Sequence, residues 1–374
     1  NRIMSMIILF PVLVALFFLL VHILAYTRIV EHLHICNSTR KALYFFLFVN
    51  MTAILGYVAS RYLFSPPKLL YFFLSLSIGV GFVLFMGIVL YEFLRLIQRL
   101  VPFQEEKRRF FKRSSDIGFL ALGSTYIGAG VLEGSKEPAV HYVDIDQKRF
   151  NGKRYTIVQI SDMHIGGLID KAFVAKSVAA INRLNPDLVT ITGDLADAHI
   201  DILKDAVGEL RHLKSRFGTY YVVGNHEYFH SIDDTIAYMK ELGIHVLENS
   251  SLKIDDFYIA GVYDLAGYRA DTHIPDIYEA MWGIPQDAST LLLAHQPKYI
   301  DYLEGFTPSL ILSGHTHGGQ IWPFGYLVTL AQPYLKGLHS LGDNRHIYVN
   351  SGIGFWGPPM RLGSHSEITC ITWS

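Results

Sequence analysis

The chain has 374 residues, 51% of them hydrophobic, and its 33 acidic and 32 basic side chains leave a formal charge of -1. That balance supplies no overall field to draw in nucleic acid or a strongly acidic partner, and no nucleic-acid partner is expected. Two cysteines, Cys36 and Cys370, exclude a disulfide framework and a cysteine-built zinc site.

The hydrophobic excess is concentrated in residues 1–135, which are expected to form a transmembrane region of three to four helices. Three stretches approach the roughly 20 apolar residues that a bilayer core demands: Ile7 to Tyr26, Ala42 to Ser60 and Leu69 to Tyr91. A fourth, Ile117 to Leu132, is shorter and glycine-rich, and reads as a span or an interfacial segment. The linker 92–116 carries Arg95, Arg99, Lys107, Arg108, Arg109, Lys112 and Arg113. By the positive-inside rule it stays in the cytoplasm, so a crossing by the fourth stretch puts the rest of the chain outside. Lys107 to Lys112 also resembles a twin-arginine export signal placed internally, and it reads equally as a basic patch beside the headgroups.

From Pro138 the pattern changes to short apolar runs alternating with helical spacing, the mark of an α/β layered domain over 138–374. Strands are expected at Tyr155 to Ile160, Asp187 to Thr192, Gly218 to Val223, around Leu252 to Gly261, and at Thr290 to Ala294 and Leu310 to Leu312. Two more, His346 to Asn350 and Ile368 to Trp373, close the chain, and helices fall at Lys171 to Leu184, Leu203 to Ser215 and Ser231 to Leu242.

Polar, metal-competent residues follow these strands directly. Ser161-Asp162-Met163-His164 follows the first, Gly193-Asp194-Leu195-Ala196-Asp197 the second, and Gly224-Asn225-His226-Glu227 the third. Later strands run into His295-Gln296-Pro297 and Gly314-His315-Thr316-His317. In α/β sheets ligands bind in the crevice outside the carboxyl ends of the strands, so these five loops are expected to converge on one hollow. Carboxylate and imidazole without thiolate is a borderline ligand set, which leaves manganese, iron and zinc open.

This ordered series resembles the calcineurin-like metallophosphoesterase superfamily, over residues 153–374. The longer forms Gly-His-Thr-His-Gly-Gly-Gln and Leu-Ala-His-Gln-Pro resemble its membrane-associated bacterial branch, which includes twin-arginine-exported phosphoesterases and lipid A-pathway pyrophosphatases. The resemblance implies a four-layer αββα sandwich and two divalent or trivalent ions per chain. It places Asp162, His164 and His317 on the first ion, Asn225, His295 and His315 on the second, and Asp194 between them. It also implies in-line attack by a metal-bridging hydroxide, with His226 as general acid and Asp197 orienting it.

Two stretches outside the metal pattern are the expected carriers of specificity. Trp322 and Phe324 are expected as an aromatic rim beside the hollow, and Arg361 as a phosphate contact, because arginine suits bidentate phosphate binding. The Gly318-Gly319 pair is expected to let backbone approach the site. The reading is a multi-pass enzyme of a bacterial inner membrane, its catalytic domain on the periplasmic side, hydrolysing phosphate or pyrophosphate esters that include lipid-borne ones. The alternatives are a cytoplasmic-facing pyrophosphatase of the UDP-diacylglucosamine type and a non-catalytic scaffold or regulatory module.

Overall fold

The computed structural model describes residues 2–33, 35–61, 63–100, 105–147, 150 and 152–374. They divide into two units: Asn1–Ser135 with Gly357–Met360, and Lys136–Trp356 with Arg361–Ser374. The expected boundary therefore misses a four-residue segment from the far end of the chain, which belongs with the N-terminal helices.

The first unit contains α1 (Arg2–Leu24), α2 (Asn37–Ser60), α3 (Lys68–Leu100) and α4 (Glu105–Gly134). Among the described residues four helical spans are long and apolar enough to cross a membrane: Pro11–His32, Asn37–Ser60, Lys68–Ile97 and Asp116–Gly134. The fourth apolar stretch is thus the second half of one continuous helix that begins in the basic linker, where Glu, Lys and Arg are good helix formers. Residues 101–104 of that linker lie outside the described residues. Inside the unit, His22 Nε2 lies 2.9 Å from Asn50 Oδ1, and Asn50 Nδ2 donates to the Ser77 carbonyl, so one polar chain links α1, α2 and α3. Met360 is fully buried, and a side chain at Gly79 would run into its sulfur and into Pro358.

The second unit is built on two six-stranded sheets. The first has the order β1-β12-β2-β3-β4-β5, and the second β10-β11-β9-β8-β7-β6. Their strands are β1 (Ala139–Ile145), β2 (Tyr155–Ile160), β3 (Leu188–Thr192), β4 (Thr219–Val222), β5 (His245–Val246), β6 (Ser250–Ile254) and β7 (Phe257–Gly261), followed by β8 (Ser289–Leu293), β9 (Leu310–Ser313), β10 (Gly337–Gly342), β11 (Arg345–Val349) and β12 (Glu367–Trp373). Helices α5 (Lys171–Asn182), α6 (Ile200–Val207) and α7 (Ile232–Glu241) follow β2, β3 and β4, and the shorter α8 (Gly267–Ala270), α9 (Ile277–Ala280) and α10 (Gly325–Val328) lie later in the chain.

Alternation along the strands sorts their side chains into three apolar layers, because successive residues of a strand point to opposite faces. Ile157, Leu188, Tyr220 and Val222 of the first sheet meet Ile259, Leu291, Leu293, Leu310 and Leu312 of the second. Val158, Ile160, Val189 and Ile191 turn the other way, onto Val174, Val178 and Ile181 of α5 and onto Ile236 and Met239 of α7. On the far side of the second sheet, Ala260, Leu292, Ile311 and Ile347 pack with Ile277 and Ala280 of α9. The result is a four-layer αββα sandwich. Its start signals are local: Asp170, for example, caps α5 by accepting from the Phe173 amide.

β2, β3 and β4 run parallel, as do β7, β8 and β9, so each set delivers its carboxyl-end loops to one edge. Gln159, fully buried on β2, donates to Thr192 Oγ1 and to the Ser313 carbonyl. One side chain thereby ties the last residues of β3 and β9 together across the two sheets.

Candidate metal centre

Every expected ligand lies just past a strand end, and five of the seven hold their backbone in the left-handed region: Asp162 (φ 51°), His164 (49°), Asp194 (50°), His315 (70°) and His317 (50°). That conformation costs roughly 1–2 kcal/mol per residue outside glycine. A backbone persists there only where its surroundings over-determine it, and such strain gathers at functional sites. What holds it is visible in the hydrogen bonds. The His315 amide donates to the Asp162 carboxylate at 2.9 Å, and the His226 amide donates to Asp194 Oδ1 at 2.9 Å. The loops come so close that a Cβ at Gly224 would strike the Asp194 carboxylate, and one at Gly314 would strike Ser161 and Asp162.

With Asp194 Oδ1 tied to backbone, Oδ2 faces the hollow, 3.3 Å from His295 Nε2, 3.8 Å from His164 Nε2 and 3.9 Å from His226 Nε2. On one side His164 Nε2 and His317 Nε2 are 3.0 Å apart, with Asp162 Oδ1 3.4 Å from the latter. On the other side His295 Nε2 is 3.2 Å from Asn225 Oδ1, and the ring of His315 lies 5.1 Å from that of His295. Among the described residues three groups could hold an ion: Asp162 with His164 and His317, His164 with Asp194 and His226, and Asp194 with His295 and His315. The rings are oriented from behind, since His295 Nδ1 donates to the Thr192 carbonyl at 2.7 Å and His164 Nδ1 lies 2.7 Å from Asp197 Oδ1.

The shifts of Asp194, His315 and His317 suit metal binding. Burial pushes Asp194 upward, but His295 and His226 outweigh it and hold the carboxyl well below its usual range. Burial, with the nearby charge of His295, lowers His315 to about 3, and burial with His164 and Arg361 takes His317 well below the usual histidine range. An ionised carboxylate and neutral imidazoles are what a cation requires. Burial acts downward on His295 too, yet Asp194 and Asp162 raise it well above the usual histidine range, and burial raises Asp162, so an ion would have to displace the His295 proton. His226 is also raised. Burial acts downward on it, yet Asp194 and Asp197 raise it to about 9, so it carries a proton near neutrality.

Residues 155–319 match the family described as Calcineurin-like phosphoesterase. Over 307 residues the chain is 36% identical to a protein of Helicobacter pylori (strain ATCC 700392 / 26695) named an uncharacterized metallophosphoesterase, with 82% of each chain covered. The chain belongs to the calcineurin-like phosphoesterases. Like other members named metallophosphoesterase, this phosphoesterase is a phosphoester hydrolase with candidate metal-binding groups. It is also 31% identical over 367 residues to an uncharacterized metallophosphoesterase of Campylobacter jejuni, with 97% of each covered. A Bos taurus relative named transmembrane protein with metallophosphoesterase domain is 37% identical over 257 residues, covering 64% of this chain and 58% of its own. That name and the four apolar spans together point to membrane association for this phosphoesterase.

Two expectations need correction. Arg361 is fully buried, and its guanidinium donates to the carbonyls of His317, Ser351, Gly352 and Gly354 and to Ser364 Oγ, so it holds the loops behind the centre rather than a phosphate. Side chains at Gly318 and Gly319 would meet Ser364 and Gly325, so the glycine pair makes room for neighbouring chain, not for approach to the hollow. Trp322 and Phe324 are exposed, as a rim would be, and Phe229 and Trp356 set their rings edge-on to His226. Sequence reasoning also gave no role to Glu227. Its buried carboxylate accepts from the amides of Gly224, Asp194 and Leu195 at 2.6, 3.2 and 2.8 Å, and so clamps two of the loops together.

Proposed function

We propose that the chain is a membrane-anchored, dinuclear-metal phosphoesterase of a bacterial inner membrane, with its catalytic domain on the outer face. It acts on phosphate or pyrophosphate esters, lipid-linked ones included. Asp162, His164 and His317 would hold the first ion, Asn225, His295 and His315 the second, and Asp194 would be shared by both. Two ions of the manganese, iron or zinc type at this donor set supply electrophilic pull on the phosphoryl oxygens and a lowered pKa for water.

The chain's own residues place and move protons. Water forms its bond to phosphorus on the side opposite the ester oxygen, whose own bond to phosphorus breaks. His226 gives its proton to that departing oxygen, which leaves as the alcohol, and the proton shed by water restores the imidazolium over the cycle. Asp197 Oδ1, 2.8 Å from His226 Nδ1, stabilises the charged ring and leaves Nε2 toward the hollow, 3.9 Å from Asp194 Oδ2.

The observation that carries this reading is the position of Asp194 Oδ2 among His164, His226 and His295, with the carboxylate common to two ion-competent groups. A shared carboxylate offsets the charge of both ions, so Asp194→Ala is expected to lose both together while the protein stays folded. Full metal content in that variant would contradict the shared assignment.

A further inference from the structure

The Gln320 that ends the Gly-His-Thr-His-Gly-Gly-Gln run is buried, and it does not face the ion-competent groups. Its side-chain amide grips the backbone of Trp356 at both polar atoms: Nε2 donates to the Trp356 carbonyl and Oε1 accepts from the Trp356 amide, each at 3.0 Å. The Gln320 backbone amide in turn donates to the His317 carbonyl. A residue of the metal loop therefore fixes the place of one tryptophan. That tryptophan's ring stands edge-on to His226, with centroids 6.2 Å apart and planes at 84°. Phe229 stands edge-on to the same imidazole at 6.1 Å and 86°. Both rings keep nearly half their surface open, at 42% for Trp356 and 47% for Phe229, whereas the His226 side chain is 12% exposed.

Two large apolar rings left part-open beside a nearly buried imidazole offer apolar area to whatever reaches that imidazole, and covering them would be favourable. What comes to His226 during the reaction is the departing oxygen and the carbon chain attached to it. We infer that Phe229 and Trp356 form the leaving-group subsite, that it takes an apolar alcohol, and that Gln320 is the residue that positions it. The inference rests on His226 standing at the departing oxygen, as proposed above. It adds that specificity is read on the leaving-group side of phosphorus, by the apolar surface of the alcohol.

The test uses the intact, detergent-purified chain and n-alkyl phosphate monoesters from ethyl to hexyl, in which the alkyl group is carried by the departing oxygen alone. Leaving-group pKa is nearly constant along such a series, so a rise in kcat/KM with length reports apolar contact. For the unmodified chain a rise of roughly two- to fourfold per methylene is expected until the rings are covered. Phe229→Ala and Trp356→Ala should flatten that slope, and Trp356→Phe should keep most of it. Gln320→Ala should flatten it through KM, with kcat much less affected, because it moves a binding ring and not the acid. The slope compares substrates within one variant, so damage to fold or metal content lowers every member alike and leaves it unchanged. No length dependence in the unmodified chain, or a slope that survives both ring deletions, overturns the subsite. Equal losses on good and poor leaving groups in His226→Asn overturn the acid assignment instead.

Discussion

Asp197 Oδ1 lies 2.7 Å from His164 Nδ1 and 2.8 Å from His226 Nδ1, so one carboxylate faces a residue proposed for a metal and the residue proposed for the proton. Asp197 stands three residues past Asp194 in the sequence, and the family resemblance implied the second pairing alone. Nothing in a linear spacing reports that a third loop brings His164 to the same oxygen. The gathering of metal-competent residues was legible, because each directly follows a buried strand end. Arg361 was misread for the opposite reason: its carbonyl partners at 351–354 become visible only once that loop has folded around the guanidinium. At this scale His226→Asn should keep metal and fold and lose ~10²–10⁴-fold in turnover of alkyl esters. Nitrophenyl esters, whose leaving group departs without protonation, should lose far less, and steady-state rates on the two classes decide it.

At the scale of elements, the central strands were readable because they are continuous apolar runs, and β2 was expected with the bounds it has. The strands left unread are marginal ones. β1 lies at a sheet edge with most of its residues wholly or partly exposed, and β10 alternates exposed and half-buried positions, so neither presents an apolar run. Pairing of β1 with β12 joins distant parts of the chain, which no local pattern announces. The helix expected from Leu203 starts earlier, at Ile200, and tightens into a 3₁₀ turn over Gly208–His212. The strand-to-loop junctions are where packing is least forgiving. Gly314→Ala should push the Asp162 carboxylate aside and destabilise the protein by about 1–3 kcal/mol. Thermal unfolding and metal content should both fall, whereas Gly118→Ala, in open space on α4, should change neither.

For the whole molecule, composition separated an apolar N-terminal region from an α/β domain, but it could not show that Gly357–Met360 belongs with the helices. A Gly-Pro-Pro-Met segment after two aromatic residues carries no periodicity, and only the folded chain shows Met360 buried in the space that Gly79 and Gly130 leave open. The charge of the linker 92–116 leads to a prediction about topology. A reporter fused at Lys136 should be active only outside the cytoplasm, and a reporter active only in the cytoplasm would reverse the proposed orientation. The account stands most directly on metal content measured beside activity. In the purified intact chain, about two ions per chain should accompany phosphoester hydrolysis, in line with two-ion catalysis. Chelation should abolish that hydrolysis and Mn²⁺ should restore it, whereas undiminished hydrolysis by a chain stripped of ions would contradict the account.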